Sequence, residues 1–231
     1  RFKCDWSSDV CSSDLLSEYL TFQFCLGHGT LFQGVEKMPP ASAMTFTPGE
    51  GPPRVTAFWS PSYEIDEYHT EEYFTDQLQL LLQNSVQPQL RGDVPLGCHL
   101  SGGLDSSSVV TLAASHYGQD LKCFTGRFDE DPAYDESGYA KAVAGHLGCE
   151  CLLVTPTAQD FSRLMPRLIW HMDEPAAGPG LFPQFMVSEL ARKHVTVVLG
   201  GQGGDELFGG YARYLVAYLE QCIKGGIFET Q

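Results

Sequence analysis

Two glycine-rich segments, each directly behind a short apolar run, restrict this chain more than any other feature. Residues 96–100 (LGCHL) lead into Ser101-Gly102-Gly103-Leu104-Asp105-Ser106-Ser107. Residues 195–199 (VTVVL) lead into Gly200-Gly201-Gln202-Gly203-Gly204-Asp205-Glu206-Leu207-Phe208-Gly209-Gly210-Tyr211. A five-residue apolar run bounded by turn signals reads as a strand covered on both faces. Between and around these runs the period changes. Tyr73, Phe74, Leu78, Leu81, Leu82 and Val86 recur at helical spacing from Glu67 until Pro88. Residues 105–117, 136–147, 158–170 and 182–192 read as further helices, and residues 121–128 and 149–154 as strands; helix-like residues resume after Tyr211. Strands alternating with helices predict the α/β class, a parallel sheet sandwiched by helices. Ligands of such sheets sit beyond the carboxyl ends of the strands, where both glycine segments fall.

The first loop has the chemistry of an anion cradle. Gly102 and Gly103 allow close backbone approach, and unpaired N–H groups at the start of the following helix point at the ligand. Ser101 and Ser106 add hydroxyl donors. Asp105 is unsuited to a bare phosphate but suited to a magnesium ion beside one. The loop has no Walker lysine. The bland alternative, a Ser/Gly capping turn, accounts for less of this pattern. The second loop carries six glycines in eleven residues, 200–210, which would weaken a plain turn for no structural gain. It brings Asp205 and Glu206 to the same sheet edge as Asp105, and two carboxylates from separate loops can clamp Mg²⁺ across a leaving pyrophosphate.

Composition narrows the partners. Fourteen basic against 29 acidic residues give a net charge of −15, which argues against a nucleic-acid ligand. No apolar run reaches the roughly 18–20 residues that span a bilayer, and no signal-peptide pattern opens the chain, so neither membrane nor secretion is expected. The eight cysteines show no C-x-x-C spacing; core thiols of a reducing, cytoplasmic protein are the expectation. Residues 1–15, with Ser-Ser-Asp twice in eight residues, read as a non-native leader such as a cloning scar or sequencing read-through. Residues 16–60, broken by Gly and Pro, suit small strands at a domain edge better than a long helix.

The word Ser101-Gly102-Gly103-x-Asp105-Ser106 resembles the pyrophosphate-binding loop of the PP-loop ATP pyrophosphatases, which cleave ATP to AMP and pyrophosphate. Phe124-Thr125-Gly126-Arg127-Phe128, Tyr134-Asp135-Glu136-Ser137, Asp173-Glu174-Pro175 and the second loop are similar to words of the glutamine-dependent asparagine synthetases. The resemblance runs from about Leu16 to the end. Within residues 16–60, the words 29–35 and Met38-Pro39-Pro40 resemble the β-rich tail of that family's N-terminal glutaminase domain, so residues 61–231 would form the PP-loop synthetase domain, cut short at its C-terminus.

The resemblance implies a Rossmann-like fold of the adenine nucleotide alpha hydrolase type, with ATP as substrate and Mg²⁺ as metal. Leu100, Gly126 and Gly201, with Gly200 beside them, would bind the adenosine half. Ser101, Gly102, Gly103, Asp105 and Ser106 would hold pyrophosphate, and Asp105 with Asp205 the metal. Gln202 and Asp205 would stand nearest the chemistry, although Gln202 occupies a position that many members fill with Glu and others with Asp. The implied reaction is amidation of aspartate to asparagine through β-aspartyl-AMP, with ammonia drawn from glutamine in a longer parent that forms a homodimer in the family's manner. Because both substrates are anions in an acidic protein, helix termini, the metal and Arg127, Lys141 or Arg192 are expected to supply local compensation. His171 and the tyrosines 211, 214 and 218 read as structural. The chain reads as an internal piece that binds ATP without completing synthesis. Competing readings are a related amide-forming enzyme acting on another carboxylate (a β-lactam synthetase or peptide cyclase) and a non-catalytic nucleotide-binding module.

Overall fold

The computed structural model describes residues 13–62, 64–130, 132–173, 178 and 180–228. It divides into two compact units, Arg1–His69 with Leu164–Leu181, and Thr70–Arg163 with Phe182–Gln231.

The second unit is built on four parallel strands: β3 (Leu96–His99), β4 (Lys122–Gly126), β5 (Glu150–Val154) and β6 (Val197–Leu199), in the order β5-β4-β3-β6. Residues alternate across the sheet as strand geometry requires. Leu96, Cys98 and Leu100 turn to one face, where α2 (Glu71–Gln89), α3 (Leu104–Tyr117) and α4 (Ser137–Leu147) contribute Val86, Val110, Ala113, Ala140 and Ala144. On the other face Phe124 packs with Val187 and Ala191 of α6 (Leu181–Ala191) and with Val195. Leu100, Val110, Leu121 and Phe124 are wholly removed from solvent. Each is worth about 1.5–3 kcal/mol, so the strand ends that carry the loops are firmly seated. The chain steps outward from β3 through α3, β4 and α4 to β5, then returns to place β6 on the far side of β3. That reversal opens a crevice between the carboxyl ends of β3 and β6, and both glycine loops leave from it.

Local signals explain several boundaries. Thr70 caps α2, its hydroxyl accepting the Tyr73 N–H at 3.3 Å, with Glu71 and Glu72 in the favourable first turn. Pro88 is tolerated inside the last turn, so α2 runs to Gln89 rather than stopping before it. Gly148 closes α4 in the left-handed conformation at φ +71°. The run 195–199 yields a strand of only three residues, β6, which pairs with Leu96–Cys98 of β3 and leaves Val197 and Val198 exposed.

The first unit holds an antiparallel hairpin, β1 (Ser42–Thr45) with β2 (Arg54–Ala57), Ser42 opposite Ala57. It also holds a helix where small strands were expected, α1 (Ser13–Phe22). Leu15, Leu16, Tyr19 and Leu20 stand at helical spacing, and no Gly or Pro interrupts before Gly27. The helix begins inside the stretch read as foreign, of which residues 1–12 lie outside the described residues. Glu174 and Pro175 lie outside them as well. The long helix α5 (Ala158–Met172) runs through residues of both units. Among the described residues no helix is long and apolar enough to cross a membrane.

Cysteines line up across the sheet: Cys98 is in register with Cys123 and Cys123 with Cys151. Burial pushes the Cys98 and Cys123 thiols up to about 12, which suppresses the reactive thiolate. Exposed Cys222 is expected to react with an aromatic disulfide reagent at pH 8 in the folded protein, and Cys98 and Cys123 only after denaturation, as read by peptide mass mapping.

Candidate active site

The crevice at the β3/β6 reversal is an open cleft of about 780 Å³. It gathers Leu100, Ser101, Gly103, Asp105 and Ser106 from the first loop, Gly126 from the end of β4, and Gly200, Gly201, Gln202 and Asp205 from the second loop. Of the candidate residues only Gly102 is not on its wall.

Gly102 has another task. It sits at φ +92°, and a Cβ there would meet Tyr139 Cβ at 2.8 Å, Glu136 O at 2.9 Å and Ala140 N at 3.0 Å. The first loop is thus pressed against the start of α4. That start is fixed by the Tyr134-Asp135-Glu136-Ser137 word: the buried Ser137 donates its N–H to Asp135 Oδ1 at 3.0 Å, and hydrogen bonds from Ser137 hold Asp135 below its usual pKa. Within the loop, Ser106 Oγ donates to Gly103 O at 3.2 Å, lies 2.9 Å from Ser101 Oγ and accepts the Ser101 N–H at 3.2 Å. Ser101 Oγ accepts the Gly103 N–H at 3.2 Å. Both hydroxyls therefore brace the loop, and the donors left for an anion are chiefly the first-turn N–H groups of α3. Its N-cap, Gly103, makes no side-chain cap, which leaves the positive end of the helix open.

The second loop lies directly on the first. A Cβ on Gly201 would come within 2.5 Å of Ser106 N, 2.7 Å of Asp105 C and 2.9 Å of Ser106 Cα. The Asp105 carboxylate rests against Gly204, so that a side chain there would require it to rotate. Asp205, the next residue, lies in the first turn of the short helix α7 (Gly204–Phe208), and its carboxylate lies against Gly210. The carboxylates of Asp105 and Asp205, 100 residues apart in sequence, thus each lie against a glycine of the second loop, and both residues line the cleft. Beside them Tyr211 donates its hydroxyl to Glu206 Oε1 at 2.8 Å, which lowers the Glu206 pKa and raises that of Tyr211. The Arg213 guanidinium stands 4.2 Å from the centre of the Tyr211 ring, a cation–π contact. Gln202 is exposed.

Among the described residues the wall carries Asp105, Glu136, Asp205 and Glu206 but no Lys or Arg. Arg127 pairs instead with Asp129 at 2.6 Å, Arg192 lines a separate groove, and Lys141 is not among the cleft residues. Among the described residues no group of three or more His, Cys, Asp or Glu is gathered to hold an ion. The donor set is two carboxylates, which fits a cation that takes one or two protein ligands and completes its shell from phosphate and water, as Mg²⁺ does.

One wall residue escapes a motif-based reading. His99, the polar letter in the otherwise apolar word Leu-Gly-Cys-His-Leu, lines the cleft, and its Nε2 is shut off from solvent without a hydrogen-bond partner. Burial lowers its pKa below the ordinary histidine value. Leaving such a nitrogen unpaired costs about 1–3 kcal/mol.

Because the Gly201 contact is with backbone rather than with a movable side-chain end, Gly201→Ala is expected to force the loops apart. Overpacking of this kind costs about 1–3 kcal/mol, which lowers the melting temperature by roughly 2–10 °C. Calorimetry with and without ATP reads both the loss and any weakened binding.

Residues 77–226 match the asparagine synthase family. The glutamine-hydrolysing asparagine synthetase 1 of Bacillus subtilis is 34% identical over 201 residues, covering 87% of this chain and 31% of that protein. A putative glutamine-hydrolysing asparagine synthetase 2 of Methanocaldococcus jannaschii is 32% identical over 215 residues, covering 92% of this chain and 41% of that protein. Among solved structures, an NH3-dependent NAD synthetase from Campylobacter jejuni overlaps 63% of this chain and 62% of its own, with a TM-score of 0.39 and 16% identity. The chain thus spans well under half the length of these two curated relatives. Both glycine loops and every candidate residue fall inside the matched stretch, and the chain belongs to the asparagine synthase family.

Proposed function

We propose that the cleft binds ATP with Mg²⁺ and serves the activation half of asparagine synthesis. The observation that carries this reading is the seating of the Asp105 carboxylate against the second loop, one residue from Asp205. In this reading the triphosphate lies along the first loop, with the pyrophosphate at the amino end of α3. The first-turn N–H groups stabilise the charge that grows on that pyrophosphate as the α-phosphorus is attacked; removal of one such donor typically costs about 2.7–4 kcal/mol of transition-state stabilisation. Asp105 and Asp205 hold the metal, which neutralises the leaving group's charge when bound. Leu100, Gly126, Gly200 and Gly201 border the adenosine half.

The acceptor is the side-chain carboxylate of aspartate. Its oxygen forms a bond to the α-phosphorus as the bond to pyrophosphate breaks, giving β-aspartyl-AMP, and ammonia then displaces AMP. Gln202 reaches the same cleft as a neutral hydrogen-bonding group, so its part is to orient the reacting acyl phosphate rather than to take a proton. In this reading the cation and the helix terminus are the main counter-charges. We read residues 16–60 as the end of a glutaminase domain and residues 61–231 as synthetase domain, with ammonia coming from glutamine in the longer protein. The 231 residues alone are expected to bind ATP without forming asparagine, since they match less than half of the length of the two curated relatives.

Aspartate-dependent exchange of labelled pyrophosphate into ATP tests the reading in the full-length gene product. Exchange is expected with aspartate and a loss of roughly 10²–10³-fold in Asp105→Ala, the scale for removing a charge-stabilising group. Exchange with a different carboxylic acid and not with aspartate overturns the substrate, and undiminished exchange in the variant overturns the site.

A further inference from the structure

On the face of the sheet that packs against α6, Gly97 is followed by His99. The Gly97 position is filled by the Phe124 ring, which an added Cβ would meet at 2.6 Å. His99 is in register with Phe124, and since Cys98 pairs with Leu199, it comes level with Gly200 on the other side. The imidazole therefore sits between the strand that ends at Gly126 and the strand that opens into Gly200 and Gly201. The cleft wall around it includes Val187 and Pro183 of α6. An apolar residue would fill this place without leaving a nitrogen unpaired, whereas the histidine leaves Nε2 enclosed and partnerless. The torsion that turns an imidazole about its Cβ–Cγ bond is broad, so the ring can present that nitrogen to a ligand beside it.

We propose that His99 is a nucleotide-binding residue that turns its unpaired ring nitrogen onto the nucleoside half of the bound nucleotide. The assignment rests on the nucleotide reading of the cleft and adds to it a residue that none of the loop motifs contains. Its position separates it from the pyrophosphate end, which belongs to the first loop and the start of α3. The kind of group it meets follows from its chemistry. Burial keeps the ring neutral, and a neutral imidazole offers one donor and one acceptor, matching a ribose hydroxyl or a purine edge rather than a phosphate oxygen, for which a cation is the stronger partner.

Titration of the ¹⁵N-labelled 231-residue chain with Mg²⁺–ATP and, separately, with Mg²⁺–pyrophosphate tests this by the imidazole nitrogen resonances. The His99 Nε2 resonance is expected to move with ATP and to stay put with pyrophosphate. In parallel, His99→Leu is expected to weaken ATP binding about tenfold (~1.4 kcal/mol) while leaving pyrophosphate binding unchanged, and His99→Asn to recover part of the loss. Equal resonance shifts with both ligands, or unchanged ATP affinity in His99→Leu, overturn the role of His99 while leaving the nucleotide cleft standing. Failure of the unaltered chain to bind ATP overturns both.

Discussion

The backbone of Gly201 lies on the backbone of Asp105 and Ser106 with no room for a single carbon between them. Everything chemical about this unit depends on that contact. It brings the second glycine loop within reach of the first, seats the Asp105 carboxylate beside Gly204, and puts Asp205 one residue further on. The sheet makes the contact available: β3 and β6 are adjacent, parallel and in register, so their loops emerge side by side from one edge. Phe124 and Leu100, both wholly buried, hold the strand ends that the loops leave from. A small contact between two main chains is thereby underwritten by packing on both faces of the sheet.

The electrostatics follow from the same geometry. A protein with a net charge of −15 gathers, among the described residues, four carboxylates around its cleft and no Lys or Arg. Arg127 is tied to Asp129, and exposed pairs of that kind contribute little at a distance; Arg213, stacked on the wall residue Tyr211, acts on Glu206 from outside the lining. The anion-attracting element within the described cleft is instead the open end of α3, left without a side-chain cap and braced from behind by the serine hydroxyls of its own loop. The braced loop also explains why Ser101 and Ser106 are short polar residues: each closes hydrogen bonds within the six-residue stretch 101–106.

The parallel sheet and its flanking helices were legible because their signals are local and repeated. The strands leading into the loops, the α2 periodicity and the glycine stop of α4 all announce themselves within a few residues. The wall of the cleft was legible through the glycine words, since glycine at such density has few uses other than close approach. What could not be read depends on neighbours distant in sequence. That only three of residues 195–199 form a strand follows from how far β6 pairs with β3, Val197–Leu199 against Leu96–Cys98. The helix α1, by contrast, was overlooked for a local reason: Leu15, Leu16, Tyr19 and Leu20 stand at helical spacing ahead of any Gly or Pro, a signal lost when residues 16–60 are read as one broken stretch. Gly102 belongs to the packing of α4 rather than to the cleft wall because of Tyr139 and Glu136, more than thirty residues downstream. His99 carried only a faint signal, one polar letter in an apolar word, and acquires meaning once the strand register shows what stands on either side of it.

The row of thiols across β3, β4 and β5 has a practical side. Cys98, Cys123 and Cys151 stand side by side on neighbouring strands, whose backbones are spaced by about 4.8 Å. A large thiophilic atom that gained entry would wedge the strands that end at the cleft. Mercurial or silver ions are therefore poor choices for marking this molecule: they would report on a distorted sheet rather than on the native one.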